Sequence, residues 1–417
     1  MAIILAAIPM FFVLIAIELW VDRKRGTGYY QFNDAINSLQ LGILSRVSGV
    51  LLSLIPFTFY VYFYNHWRLF DLPQDHYLVW ALAFFGYDLV YYWVHRLNHR
   101  VNVMWGSHVV HHSSEEYNLT TALRQTSTPS IFAWVIVAPL AIIGVSPEVL
   151  ATSAAINLVY QFWVHTRHVG KMPTWFEAIF VTPSNHRVHH ALNKDYIDKN
   201  FGGVFIIWDR LFGSFQAEKD DTPVVFGISS QLKSWNPLWA NFQVYRNLLI
   251  DAIAAKNWGD KLRIWFKPPS WRAEDVKKSV PRKYATTKSM VKYDVHLTIS
   301  QKAYILFQHA ASIGMIFAWL LTLGQFDLGG LVVTSVAAIL TLFSISALQE
   351  KRGFSVALEA LRLLALVGIL WYFLPSGLAA NVISLTYPAV SMFALIKSFR
   401  VKTPEAQSMP EQSSVTD

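Results

Sequence analysis

The feature that most restricts this chain is the number and length of its apolar runs. They cover residues 2–20, 43–64 and 77–94, two short stretches within 131–164, and then 303–324, 329–347, 355–374 and 378–396. Most approach the roughly 20 residues that a helix needs to cross a bilayer core. Hydrophobic residues make up 53% of the 417 positions and charged residues only 15%, which rules out a soluble reading. In hydrocarbon a segment must satisfy its own backbone polar groups, so runs of this kind are helices. The sequence therefore predicts an all-α integral membrane protein, a helical bundle of about nine transmembrane spans. The breaks between spans carry their own signals. Gly144-Val145-Ser146-Pro147 divides 131–164, and Gly329-Gly330, Glu350-Lys351-Arg352-Gly353 and Pro375-Ser376-Gly377 divide the last four runs. Proline cannot continue a helix interior.

Charge placement predicts the orientation. Asp22-Arg23-Lys24-Arg25 follows the first run, whereas a signal peptide carries its positive charge ahead of the apolar core. Basic loops face the cytoplasm, so the N-terminus lies outside and the first loop inside. The third run then returns the chain to the cytoplasmic face at His95, and the 131–164 hairpin brings His165 back there. Lys351-Arg352 and the tail from Lys397 to Lys402 place the C-terminus inside. The net charge of +8 is thus explained by loops beside anionic lipid, and no nucleic-acid partner is implied. With no cysteine, disulfides and thiolate metal sites are excluded. No internal repeat, glycine-rich phosphate loop or nucleotide fingerprint is present.

Ten of the fourteen histidines lie between His95 and His190. They form His95-x3-His99, His108-x2-His111-His112 and His186-x2-His189-His190, with His165 and His168 between the last two. Residues four apart on a helix differ by roughly 40° in direction and about 6 Å in height, so such pairs aim two imidazoles at one point. Three clusters abutting apolar runs indicate a metal site on the cytoplasmic face. Imidazole suits zinc, copper, iron and nickel, so ligand type alone does not choose the metal. Nine histidines exceed the needs of one ion and fit two: His95, His99, His108, His111, His112, His165, His186, His189 and His190, with His168 as a possible tenth. Two ions held by neutral nitrogen at a membrane surface suggest a redox centre that handles oxygen.

Polar residues inside the apolar runs point to the same place. Asp88 lies seven residues before His95 on one helical face, where a carboxylate is costly and by default functional; it is positioned to orient a metal-bound imidazole of a neighbouring helix. Asn157, Gln161 and His165 repeat at i, i+4 and i+8 as a stripe aimed at the histidines. Arg124 and Arg187 are candidates for meeting a lipid head group.

The stretch from His108 to Gln125 resembles the membrane-bound di-iron fatty acid hydroxylase and sterol desaturase superfamily, and within it the alkylglycerol monooxygenase branch. So do Tyr160-Gln-Phe-Trp-Val-His-Thr166, Thr182-Pro-Ser-Asn-His-Arg-Val-His-His190 and the run Asp198 to Gly213. The resemblance covers most of residues 80–217. It implies two iron ions, dioxygen, a membrane lipid substrate and an electron donor, which is tetrahydrobiopterin in the animal enzymes and a ferredoxin- or cytochrome-type protein as the alternative. Arg100 and Asn185 depart from the animal pattern, which has an acidic residue and a histidine there. The organisation expected is a di-iron membrane domain over 1–270 (histidine core 80–217), a basic cytoplasmic connector over 271–300, a four-span block over 301–400 and a disordered tail over 401–417. The oligomeric state is not legible.

The expected function is hydroxylation of a lipid C–H bond with O2, extending to cleavage of alkylglycerol ethers. The alternatives are a sterol or head-group hydroxylase or desaturase of the same superfamily and, from another class, a histidine-rich metal transporter. Transport sites lie near the bilayer midplane on broken helices, whereas these histidines sit at helix ends. A zinc hydrolase would leave too many histidines without a role.

Overall fold

A computed structural model describes residues 2–52, 54–128, 133–373 and 377–399. The expected disordered tail and the Pro375-Ser376 turn lie outside the described residues. Everything described is helix or irregular backbone, with two isolated bridges, Phe180 to Phe205 and Ala191 to Phe226.

The N-terminal half runs α1 (Ala2–Arg25), α2 (Phe32–Leu52), α3 (Leu54–Trp67) and α4 (Tyr77–Arg100). Three short helices follow, α5 (Asn102–Gly106), α6 (Val109–His112) and α7 (Leu119–Ala122), and then the hairpin of α8 (Ala133–Ile143) and α9 (Pro147–Trp163). The predicted break between the hairpin arms is built as expected. Gly144 turns the chain at φ +111 and Ser146 caps α9, with Pro147 in its first turn. The cap over the bundle contains α10 (Thr174–Ile179), α11 (Pro183–His189), α12 (Ile207–Leu211), α13 (Pro237–Ala254), α14 (Trp258–Phe266) and α15 (Glu274–Ser279). The chain closes with α16 (Ile299–Leu321), α17 (Leu328–Gln349), α18 (Ser355–Phe373) and α19 (Leu378–Phe399).

Among the described residues five helices are long and apolar enough to cross a membrane: Ile3–Arg25, Tyr77–Arg100, Ile299–Leu321, Leu328–Gln349 and Asn381–Phe399. The expected span at 43–64 is instead a pair of helices bent by 48°, which raises the number to six. The nine expected spans are not reached by this measure, and length is the main reason. The 11-residue α8 extends only about 16 Å at 1.5 Å per residue, against a hydrocarbon core of roughly 30 Å. The protein is nonetheless a multi-pass integral membrane protein, with leucines, valines and phenylalanines facing outward along these helices.

The last four helices are not an appendage. Gln349 bonds to Asn33 of α2 at 3.3 Å, and Glu350 accepts from Ser234 and the Trp235 backbone at 2.6 Å. Inside this block Glu359 and Arg362 form a buried ion pair at 2.6 Å, completed by Tyr304, Ser344 and Gln308. Both Glu359 oxygens are satisfied here, by Arg362, Tyr304 and Ser344, which offsets much of the cost of burying the charge. The basic connector is likewise strapped onto the cap. Arg272 and Arg282 both hold Asp251, Lys292 pairs with Glu116, and the Tyr293 backbone bonds to Glu115 at 2.6 Å.

Candidate metal centre

All nine expected histidines are brought together, but not cluster by cluster. His95, His99, His108, His112 and His189 converge in one group, and His111, His165, His186 and His190 in a second. Within each group one nitrogen from every ring lies within 4.8 Å of all the others. The division follows from helix geometry. The positions four apart, 108/112 and 186/190, point the same way, while 111 and 189 sit about 100° from their C-terminal neighbours and serve the other group. The groups adjoin where the His112 and His190 rings stack, 4.4 Å between centroids.

Backbone carbonyls orient the rings. Phe201 O holds His95 Nδ1 at 2.8 Å, Lys199 O holds His189 at 2.9 Å, Arg124 O holds His111 at 3.0 Å and Gln161 O holds His165 at 2.7 Å. A carbonyl can only accept, so each of these Nδ1 atoms carries the proton and Nε2 offers its lone pair inward. The Nε2 atoms of His95 and His108 then lie 3.0 Å apart, as do those of His165 and His186. Among the described residues the buried His99 Nε2 and His189 Nε2 have no protein partner. Burial also pushes the pKa values of His108, His112, His186, His189 and His190 well below the usual histidine range and that of His111 down to about 4. Neutral imidazoles with converging lone pairs are the donor sets that divalent transition metals take, so the residues present fit metal.

The polar stripe acts one step further out than expected. Asp88 does not touch an imidazole. Its carboxylate accepts from the Val204 and Phe205 N–H groups at 2.8 and 3.1 Å, from the Trp208 indole at 2.9 Å and from the Asn157 amide. It thereby pins the 199–208 turn, whose carbonyls orient His95 and His189. Gly203 allows this approach, since a Cβ there would lie 2.9 Å from Asp88 Oδ1 and Asn157 Oδ1. Gln161 donates to Asn157 and accepts from Tyr91 at 2.7 Å. The roles of Lys199, Phe201 and Asp198 were missed from sequence. Backbone carbonyls leave no residue-type signal, although the Gly202-Gly203 pair marks the close approach.

The two arginines expected at a head group are engaged within the protein. Arg124 is buried, bonding Val110 O and Ser113 Oγ at 3.1 Å and Ser38 Oγ at 3.2 Å. Arg187 forms a two-pronged pair with Glu218 at 2.9 and 2.7 Å and also holds the Thr166 and Val169 carbonyls. Neither lines the two cavities described below. His168 stands outside both histidine groups, 3.8 Å from Asp22. The departures from the animal pattern have local partners: Arg100 pairs with Asp198 at 2.7 Å, beside His99, and Asn185 closes a capping box with Thr182 at the start of α11.

Two cavities reach the histidines. One, of about 140 Å³, is almost wholly apolar and extends from His111 and His165 along α1, α2, α9 and α16, past Phe11, Leu39, Leu158 and Ile313. The other is a polar cleft of about 730 Å³ that reaches His99, His112 and His189 and is lined by Trp105, Tyr284, Arg272 and Arg282.

A multi-pass helical bundle with buried histidine groups beside an apolar cavity defines an integral-membrane oxidoreductase acting on lipid, and comparison with known proteins agrees. The family model for fatty acid hydroxylases matches residues 80–214. The chain is 35% identical over 365 residues to alkylglycerol monooxygenase of Homo sapiens, covering 86% of this chain and 80% of the human one. It is 35% identical over 364 residues to that of Danio rerio, covering 85% and 79%. An ornithine lipid hydroxylase of Rhizobium tropici is 25% identical over 171 residues, 41% of this chain and 51% of that one. No solved structure matches. The chain belongs to the alkylglycerol monooxygenase family, within the wider group of membrane fatty acid hydroxylases. It is a lipid hydroxylase, and its histidine clusters are of the kind that bind iron.

Proposed function

We propose that this protein is a di-iron monooxygenase that hydroxylates an alkyl lipid next to an ether oxygen. The observation that carries the reading is the sorting of nine histidines into two convergent groups beside an apolar cavity. One iron is assigned to His95, His99, His108, His112 and His189, and the other to His111, His165, His186 and His190. When bound, iron supplies the oxygen activation and electron transfer that no side chain provides.

The protein's part is binding, orientation and exclusion of water. The alkyl chain lies in the apolar cavity with its reacting carbon at His111 and His165. The carbonyls of Arg124, Gln161, Lys199 and Phe201 keep the imidazoles of His111, His165, His189 and His95 in one tautomer and one orientation. The reaction consumes one O2, two electrons and two protons, converting C–H to C–OH and releasing one water. Hydroxylation beside an ether oxygen gives a hemiacetal, which separates into aldehyde and glycerol. The polar cleft is where the electron donor docks. Its size and its Trp105 and Tyr284 rings suit a small planar reductant such as a tetrahydropterin better than a protein surface. The histidine face is cytoplasmic, because Arg23-Lys24-Arg25, Arg100 and the basic 271–300 strap all lie on it. The N-terminus is then outside and the C-terminus inside. Residues 1–270 form the catalytic unit, and α16 of the 301–400 block completes its lipid chamber.

The test is a lipid comparison between membranes carrying the native protein and the His189→Ala variant, with His168→Ala as a control expected to stay active. Loss of ether lipid with a gain of fatty aldehyde supports the reading. A head-group hydroxylated lipid or a product two hydrogens lighter points to the sister chemistries. Identical lipid profiles from iron-loaded protein supplied with donor and ether lipid would overturn it.

A further inference from the structure

The apolar cavity is not lined by carbon alone. Arg46, one helical turn after Gly42 on α2, faces it, and also faces an adjoining cavity of about 240 Å³ bounded by Ser45, Ser48, Thr126 and Ser127. The two cavities share Ile4, Ile8 and Leu320 as well as Arg46, so they are limbs of one chamber, one almost wholly apolar and one that adds hydroxyls to an apolar wall.

The contrast with the other arginines of the bundle is direct. Arg124 has three acceptors, and Arg362 has Glu359 and Gln308. Among the described residues Arg46 has neither a hydrogen bond nor an ion pair, and no charged group acts on it. Ser127 Oγ, on the wall of the same chamber, is also buried without a partner. An unpaired cation within a membrane segment is costly and by default functional. Guanidinium carries five donors, no acceptor and a permanent charge, so the group that would satisfy it is an anion with several acceptor oxygens.

We propose that Arg46 anchors the anionic head of the lipid substrate. A phosphate-bearing head group sits on Arg46 among the hydroxyls of Ser45, Ser48, Thr126 and Ser127, so that the glycerol ether reaches the apolar limb with its first alkyl carbon at His111 and His165 and the rest of the chain in the apolar limb. This deepens the lipid-hydroxylase reading of the same site and rests on it for the fate of the bound lipid.

The experiment is equilibrium binding to the purified, metal-loaded protein in uncharged detergent without oxygen, so that no turnover intervenes. The probes are 1-O-hexadecylglycerol 3-phosphate, the uncharged 1-O-hexadecylglycerol and inorganic phosphate. The wild type is expected to favour the phosphorylated lipid by about tenfold or more, the range for hydrogen bonds between charged partners. Arg46→Gln is expected to abolish that preference, Arg46→Lys to keep part of it, and inorganic phosphate at equal concentration not to compete. Arg46→Gln should unfold at the same temperature as the wild type or above it, because a half-buried cation with no protein partner among the described residues is removed. Equal wild-type affinity for the two lipids, an unchanged preference in Arg46→Gln, competition by inorganic phosphate or a lowered unfolding temperature would each overturn the assignment. A charge preference that depends on Arg46 in a protein that never oxidises lipid would leave the anchor standing and sink the oxygenase reading alone.

Discussion

Asp88→Asn separates the two histidine groups. Each carboxylate oxygen of Asp88 accepts two bonds, Oδ1 from Asn157 and Val204 and Oδ2 from Phe205 and Trp208. An amide replaces one oxygen by NH2, so in either orientation two donors face a donor. Asp88 is fully buried, and no bulk water can take up the difference. Losing two hydrogen bonds to a charged acceptor, at about 1.5–3 kcal/mol each, removes about 3–6 kcal/mol from the 199–208 turn. That turn supplies the carbonyls of Lys199 and Phe201 that orient His189 and His95. The carbonyls of the second group come from Arg124 and Gln161, outside the turn. Metal content after anaerobic reconstitution is therefore expected to fall to roughly half. Activity should fall by about a hundredfold or more, because displacement of ligands by about 1 Å is enough for such a loss. The assay is metal per protein by elemental analysis together with product formation. Full metal content and activity would refute the reasoning, and so would equal loss from both groups in a protein that remains folded.

Two further outcomes follow from the same geometry. Ile313→Trp should fill the apolar cavity from the α16 side, reducing turnover of long-chain lipid while leaving metal content unchanged; full turnover with long chains would show that the cavity is not the chain site. In metal-free protein, burial holds His111 near 4 against about 6.5 in the unfolded chain. The unfolded state then binds more protons between these values, so stability present above pH ~6.5 is lost as pH falls toward ~4, by up to about 3 kcal/mol for this residue. Thermal unfolding of the chelated protein at pH 7 and pH 5 measures it, and equal midpoints would contradict the burial argument.

How much of this was legible beforehand differs by residue. The nine histidines were readable because side chains that bind metal are rare and their i, i+4 spacing has one meaning on a helix. Asp88, Asn157 and Gln161 stood out as polar residues in apolar runs, yet their partners did not, because a carboxylate can serve a ring or a backbone turn equally well. The protein partners of Arg124 and Arg187 were hidden for the same reason: a guanidinium shows its charge in sequence, not its acceptors. Arg46 drew no notice, since one arginine in an apolar run looks like a boundary residue until the helices around it close a chamber.

By itself, then, the sequence determined the class of fold and the kind of chemistry. Bilayer hydrocarbon leaves apolar runs little choice but helix, and clustered imidazole leaves little choice but metal. Only the tertiary structure decided which histidine serves which group, because neighbours in sequence point about 100° apart and their targets are set by where α4, α6, α9 and α11 end relative to one another. It also decided that a turn more than a hundred residues after Asp88 holds His95 and His189, and that α16 walls the apolar cavity beside His111 and His165. Contacts of this kind depend on the distance between chain segments in space, which residue order does not encode locally.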